Sequence, residues 1–291
     1  MVETCSRQLR KIIERREPTL LPGAANALAA RIIEDIGYKA IYVSGAGVTN
    51  SFLGTPDIGL ISLTELAGHV SAMRDTVSLP LIVDADTGFG NAVNVGHTIR
   101  VLERSGANAI QLEDQEFPKR CGHFSGKSII AAAEMVQKIH AAVDARRDAD
   151  LVIVARTDSI AANGFEDAMD RAVAYIEAGA DMTFVEAPKT IEEMSQISKR
   201  LAVPQFVNIV AGGLTPMLSM EELAKMGFSM ILYANAALQA SIAGMQKVLG
   251  HLKTHGSLAA VSDQLAEFSE RQRIVCKPHF DSLEEKYSVP G

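Results

Sequence analysis

Eight short, almost uninterrupted apolar runs punctuate the 291 residues, and they constrain the fold more than any other feature of the chain. They lie at 19–22, 40–44, 79–83, 109–112, 151–155, 182–185, 205–208 and 230–233. Longer amphipathic stretches separate them, at 26–36, 63–76, 91–105, 132–145, 165–178, 191–201 and 220–226. A strand that is apolar on both faces belongs in a parallel sheet covered by helices. Gly37, Gly106, Gly179 and Gly227 each stand just past a helical stretch, where a left-handed residue closes the helix before the next strand. Eight such units predict a closed (β/α)8 barrel. An open dinucleotide-binding sheet is disfavoured, because no G-x-G-x-x-G follows the first run. Helical segments at 236–255, 258–273 and 280–287 exceed what a barrel needs, so the expected division is a barrel over 1–245 and a C-terminal helical extension over 246–291.

Composition narrows the function classes. With 47% hydrophobic and 22% charged residues the chain can bury a large core. A net charge of −7, with Lys and Arg dispersed, argues against nucleic acid, whose binders concentrate basic residues. No apolar run approaches the ~20 residues that span a bilayer, and Met1-Val2-Glu3-Thr4-Cys5 is no secretory signal, so no membrane partner and a cytoplasmic location are expected. Three cysteines, Cys5, Cys121 and Cys276, are too few and too scattered for a disulfide framework or a zinc knuckle.

In a barrel the active site gathers at the C-terminal ends of the strands. Six of the eight runs end in polar residues: Ser44-Gly45-Ala46-Gly47, Asp84-Ala85-Asp86, Gln111-Leu112-Glu113-Asp114, Arg156-Thr157-Asp158, Glu186 and Asn208. A single strand-end Asp commonly caps the next helix. Asp84 and Asp86 are two apart, however, so on an extended chain both face the barrel mouth, and Glu113 and Asp57 add to them. Oxygen ligands without His or Cys favour Mg2+, with Mn2+ as a substitute. Arg156 follows a buried run and requires an anionic partner, either a neighbouring carboxylate such as Glu186 or Asp158, or a substrate. The small residues after Ser44 can present N–H groups to an anion. Residues 118–127 form a polar, glycine-containing loop in which Lys119, Arg120 and His123 surround Cys121, a setting that favours the thiolate and suits the thiol to proton transfer.

Four segments, Lys119-Arg120-Cys121-Gly122-His123, Asp84-Ala85-Asp86-Thr87-Gly88-Phe89-Gly90-Asn91, Leu112-Glu113-Asp114-Gln115 and Ala155-Arg156-Thr157-Asp158, together resemble the isocitrate lyase and phosphoenolpyruvate mutase superfamily. The resemblance spans nearly the whole chain and points to the branch of methylisocitrate and 2,3-dimethylmalate lyases. It implies a barrel whose C-terminal helices are exchanged between subunits, in a homotetramer built of two swapped dimers. It also implies roles. Asp86 would bind Mg2+ directly, with Asp57, Asp84 and Glu113 acting through water. Ser44, Gly45, Ala46, Gly122, His123, Arg156 and Asn208 would hold the carboxylate substrate, Tyr42 and Glu186 would complete the polar shell, and Cys121 would be the general acid.

The implied reaction is cleavage of a carbon–carbon bond in a 2-hydroxy di- or tricarboxylate, giving an α-keto acid such as pyruvate and a carboxylic acid. Tyr42, a metal-bound water and Glu186 are the three candidates for removing the hydroxyl proton. Phosphonate-forming mutases, which use the same metal site and of which the carboxyphosphoenolpyruvate type also carries a Lys-Arg-Cys-Gly-His loop, are the alternative, as is hydrolysis of oxaloacetate. The hydrolases resemble a Tyr-Pro-Leu-Ser pattern where this chain has Tyr233-Ala234-Asn235-Ala236. Methylisocitrate lyases tend to follow the loop with Arg-Pro-Asn-Lys, whereas His123 here precedes Phe124-Ser125-Gly126-Lys127. Loss of that cation favours an alkyl-substituted malate over a tricarboxylate.

Overall fold

In the computed structural model, residues 3–120 and 126–289 are described. Cys121, Gly122 and His123 lie outside them. Eight parallel strands close into a barrel in sequence order: β1 Thr19–Ala24, β2 Ile41–Val43, β3 Leu81–Asp84, β4 Ala109–Glu113, β5 Val152–Thr157, β6 Met182–Val185, β7 Gln205–Asn208 and β8 Met230–Tyr233. Every expected run is a strand, and β8 pairs with β1 to complete the ring.

The helices are α1 Cys5–Glu14, α2 Ala27–Ile36, α3 Gly45–Leu53, α4 Leu63–Arg74, α5 Ala92–Arg104, α6 Ala132–Ala145, α7 Ser159–Ala162, α8 Phe165–Glu177, α9 Ile191–Arg200, α10 Met220–Met226, α11 Ala236–His255, α12 Phe268–Ile274 and α13 Lys277–Tyr287. Gly37 and Gly227 are left-handed helix caps, as their positions predict. α1 and α3 depart from the sequence reading. The run after Ser44 is the first turn of a helix instead of a free turn, because Ser44 caps it by accepting the Gly47 N–H at 3.1 Å. The expected 258–273 helix is broken into a 3-10 segment, Ala259–Gln264, and α12. The 245/246 division falls within the continuous helix α11.

Side chains alternate along each strand, one set inward and one toward the helices. The inward set forms its own cluster, including Tyr42, Ile82, Ala109, Val154, Phe184, Phe206 and Leu232. Counting on by two from these residues reaches Ser44, Asp84, Gln111, Arg156, Glu186, Asn208 and Ala234, so the apolar floor and the polar mouth belong to the same columns. Leu9 and Ile13 of α1 join the inner cluster and plug the N-terminal end of the barrel. Arg10 fastens the plug, donating to Asp181 Oδ1 at 2.8 Å and to the Asp150 and Leu151 carbonyls at 3.1 Å. The outward set packs against the helices in two further clusters.

Around α11–α13 large apolar side chains stand in the open, among them Met245, Leu249, Phe268 and Phe280. No helix among the described residues is long and apolar enough to cross a membrane.

At the seam between β1 and β8, a Cβ on Gly23 would stand 1.9 Å from the Ala234 carbonyl oxygen, so glycine is what lets the end of β8 lie against β1. Gly23→Ala forces two backbones apart and is expected to cost about 1–3 kcal/mol or more. Urea unfolding measures the loss.

Candidate active site

A small cavity, about 30 Å³, opens at the C-terminal mouth of the barrel, and most of the expected residues meet there: Tyr42, Ser44, Ala46, Asp57, Asp84, Arg156, Glu186 and Asn208 line it. Lys119, Phe184, Leu232, Ala234 and Asn235 line it too; the sequence set Lys119 beside Cys121 and Ala234-Asn235 at the pocket wall without giving them a role, and did not point to Phe184 or Leu232. Asp86 and Glu113 stand directly behind the wall, on Lys119 and Arg156 respectively. Gly45 packs under the acids, where a Cβ would sit 3.2 Å from both Asp84 Oδ2 and Asp86 Oδ1.

The pairing of Asp84 and Asp86 does not come from an extended chain. β3 ends at Asp84, and Asp86 has φ +48°, in the left-handed region that a non-glycine residue seldom occupies. Its neighbours hold it there. The Asp86 N–H donates to Asp84 Oδ1 at 3.2 Å, and its carbonyl accepts the Glu113 N–H at 2.9 Å. Lys138 Nζ donates to the Thr87 carbonyl at 3.1 Å, and Thr98 Oγ1 to the Gly88 carbonyl at 3.0 Å.

Lys119 extends its ammonium into the acidic cluster, 2.5 Å from Asp57 Oδ1 and 2.7 Å from Asp86 Oδ1. Burial works against its charge, but Asp86, Glu113, Asp57 and Asp84 outweigh burial and hold its pKa well above the usual lysine value. The sequence placed Lys119 near Cys121 only as a source of positive charge. Its insertion among acids from other strands could not be read from local spacing. Burial pushes Asp86 up to about 7, against the pull of Lys119 and with the repulsion of Asp84 and Asp57. Glu113 rises well above the carboxylate range, through burial first, with Arg156 opposing. Its Oε1 is buried and has no hydrogen-bond partner among the described residues. No three acidic, His or Cys side chains among those residues converge on one point as a ready-made metal site. The acids are instead drawn individually to Lys119 and Arg156.

Arg156 has neighbouring carboxylates of the kind its position demanded. Asp158 grips it in a fork, Nε to Oδ2 at 2.9 Å and Nη2 to Oδ1 at 3.1 Å, while Glu113 and Glu186 each stand 3.4 Å away. Its guanidinium lies 5.2 Å above the Phe184 ring. Asp158 is fully buried, and although burial raises its pKa, Arg156 and Lys127 draw it down to about 2. Lys127 Nζ sits 2.7 Å from Asp158 Oδ1. Asp114 fixes the backbone beneath, accepting the Asp158 N–H at 2.9 Å, Thr157 Oγ1 at 2.7 Å and the Tyr175 hydroxyl at 2.8 Å. On the other side, Tyr42 donates to Gln111 Oε1 at 3.1 Å, and Gln111 Nε2 donates to Asp84 Oδ1 at 3.2 Å. Burial, then Asp84, raise the Tyr42 pKa well above that of a free phenol.

Residues 9–253 match the family described as phosphoenolpyruvate phosphomutase. The chain belongs to that family. Among its relatives, 2,3-dimethylmalate lyase of Eubacterium barkeri is 39% identical over 282 residues, covering 97% of this chain and 98% of the relative. A 2-methylisocitrate lyase of Aeropyrum pernix is 44% identical over 257 residues, 88% and 82% of the two chains. Phosphonopyruvate hydrolase, in a crystal structure with oxalate and Mg2+, superposes with a TM-score of 0.89 at 30% identity over 98% of this chain and 99% of its own. The protein is therefore an enzyme of the phosphoenolpyruvate mutase and isocitrate lyase superfamily, a group of lyases and mutases into which a carbon–carbon lyase fits.

Because Asp158 is shared by two buried cations, Asp158→Ala removes both the fork that orients Arg156 and the carboxylate 2.7 Å from Lys127. The expected cost is about 3–5 kcal/mol of folding stability, read by chemical denaturation, together with weaker binding of oxalate by calorimetry as Arg156 loses its orientation.

Proposed function

We propose that this enzyme is a Mg2+-dependent carbon–carbon lyase acting on a 2-hydroxy dicarboxylate of the 2,3-dimethylmalate type, and that it releases an α-keto acid such as pyruvate and a carboxylic acid. The observation that carries this reading is the division of the cavity. The arc from β2 to β6 is charged, with Asp57, Asp84, Lys119, Arg156 and Glu186, whereas β7 and β8 contribute only Asn208, Leu232, Ala234 and Asn235. Such a lining suits a ligand whose charge is concentrated toward the β2–β6 arc and which, on the β7 and β8 side, meets neutral amides and apolar surface and no cation. The full-length similarity to a 2,3-dimethylmalate lyase supports the same choice.

The donor set fits a hard cation. Asp86, Asp57, Asp84 and Glu113 offer oxygens only, and the buried Glu113 Oε1 lacks a partner among the described residues. Asp86 would bind Mg2+ or Mn2+, with the other acids around it, and the ion would supply Lewis-acid polarisation of the substrate's hydroxyl and carboxylate oxygens. Arg156, immobilised by Asp158, binds the carboxylate of the hydroxy-acid end and stabilises negative charge growing on its oxygen. Tyr42 keeps its proton at neutral pH, so Glu186, beside Arg156, is the side chain that takes the hydroxyl proton. As the C=O of the keto acid forms, the electrons of the carbon–carbon bond pass to the carbon next to the second carboxylate. Cys121 then protonates that carbon. The exposed apolar faces of α11–α13 support exchange of these helices within a homotetramer, and the enzyme is read as cytoplasmic.

Two measurements test the proposal. First, Mn2+ binding followed by electron paramagnetic resonance should tighten with pH, because an acid whose pKa is raised to about 7 holds its proton below that value and excludes the ion. From pH 8 to pH 6 affinity is expected to weaken about tenfold, and chelated enzyme should regain activity on adding Mg2+. Full turnover by metal-free protein overturns the metal assignment. Second, kcat/KM for 2,3-dimethylmalate should exceed that for 2-methylisocitrate at the same Mg2+ concentration and pH. The reverse preference would overturn the dicarboxylate assignment, and turnover of neither acid would overturn the lyase.

A further inference from the structure

Asn235 occupies the N-cap of α11, where an asparagine side chain ordinarily accepts a first-turn N–H. Here it makes no such bond. Its Oδ1 accepts the Ser44 hydroxyl at 3.2 Å, at the end of β2, two strands around the ring from β8. Ser44 Oγ also accepts the Gly47 N–H, and with its own proton on Asn235 Oδ1 the amide oxygen is turned toward Ser44. The NH2 end has no partner among the described residues, and the residue lines the cavity. The contact is built by the backbone, since Gly23 lets Ala234 lie against β1 and so brings Asn235 toward β2.

In a ring of eight strands, β8 stands opposite β4 and β7 opposite β3. Asn208 and Asn235 therefore face Asp84, Asp86 and Glu113 from the far side. We propose that Asn235 is a specificity-determining residue, whose amide N–H groups bind the substrate carboxylate farthest from Arg156 and select dicarboxylates over tricarboxylates. This rests on the lyase reading above. A neutral amide at the positive end of a twenty-residue helix satisfies one carboxylate without adding charge. Among the described residues of that arc a third carboxylate would meet Leu232, Ala234 and the single amide of Asn208, with no cation, and most of its lost hydration would go uncompensated.

Asn235→Asp separates recognition from structure. Aspartate keeps the size, still accepts the Ser44 hydroxyl and suits a helix N-terminus, so a purely structural role predicts unchanged kinetics. Recognition predicts an unchanged or higher Tm together with a fall in kcat/KM for 2,3-dimethylmalate, exceeding the roughly 10- to 100-fold expected when Asn235→Ala removes one hydrogen bond to a charged group. Asn235→Arg should move the ratio of kcat/KM values toward 2-methylisocitrate at least tenfold. Kinetics of Asn235→Asp within twofold of the parent would overturn the proposal while leaving the lyase standing, and Asn235→Ala decides by the same criterion if the aspartate variant does not fold. If the parent cleaves neither acid, the lyase reading falls first and takes this proposal with it.

Discussion

Burying a carboxylate is costly unless a cation stands against it, and the mouth of this barrel buries many. Asp57, Asp84, Asp86, Glu113, Asp158 and Glu186 are all nearly inaccessible. Among the described residues, Lys119, Lys127 and Arg156 answer them at close range. Much of the site's organisation follows from that shortage of positive charge. Lys119 reaches between Asp57 and Asp86, Arg156 is shared by three acids, and Asp86 and Glu113 hold protons more tightly than free carboxylates do. A surplus of buried negative charge is also what the divalent cation proposed above would offset.

The barrel was legible because a parallel strand buried on both faces leaves an unmistakable apolar run, and because its inward positions recur every second residue. The same period that places Val154 in the floor places Arg156 at the mouth. Asp84, Glu113, Arg156 and Glu186 could thus be found by reading where each run turns polar. Ser44 was found in the same way, although its local structure differed, since its capping hydroxyl turned a glycine-containing stretch into a helix.

What could not be read depends on contacts between distant segments. Asp86 sits in a left-handed conformation that Lys138 and Thr98 help to hold from α6 and α5, so its orientation is a property of packing instead of strand alternation. Asn235 looked like a departure from a family pattern, and only the closure of β8 on β1 places it beside Ser44. The N-terminal helix was missed for a related reason. Its Leu9 and Ile13 are a short apolar stripe among charges, and they acquire meaning only against the open end of a barrel formed later in the chain.

That plug backs the floor of the site. With the inward strand residues packed beneath the mouth, and Leu9 and Ile13 behind them where Arg10 ties the helix to the chain entering β5 and β6, the cavity is closed on its inner side. Among the described residues the cavity opens at the C-terminal ends of the strands, so in the proposed reaction the substrate would arrive, and both products leave, on that side. The two fragments made by one cleavage must therefore depart in file, the outer before the inner. Turnover then has a built-in order, and the fragment seated deeper governs when the next molecule can be admitted.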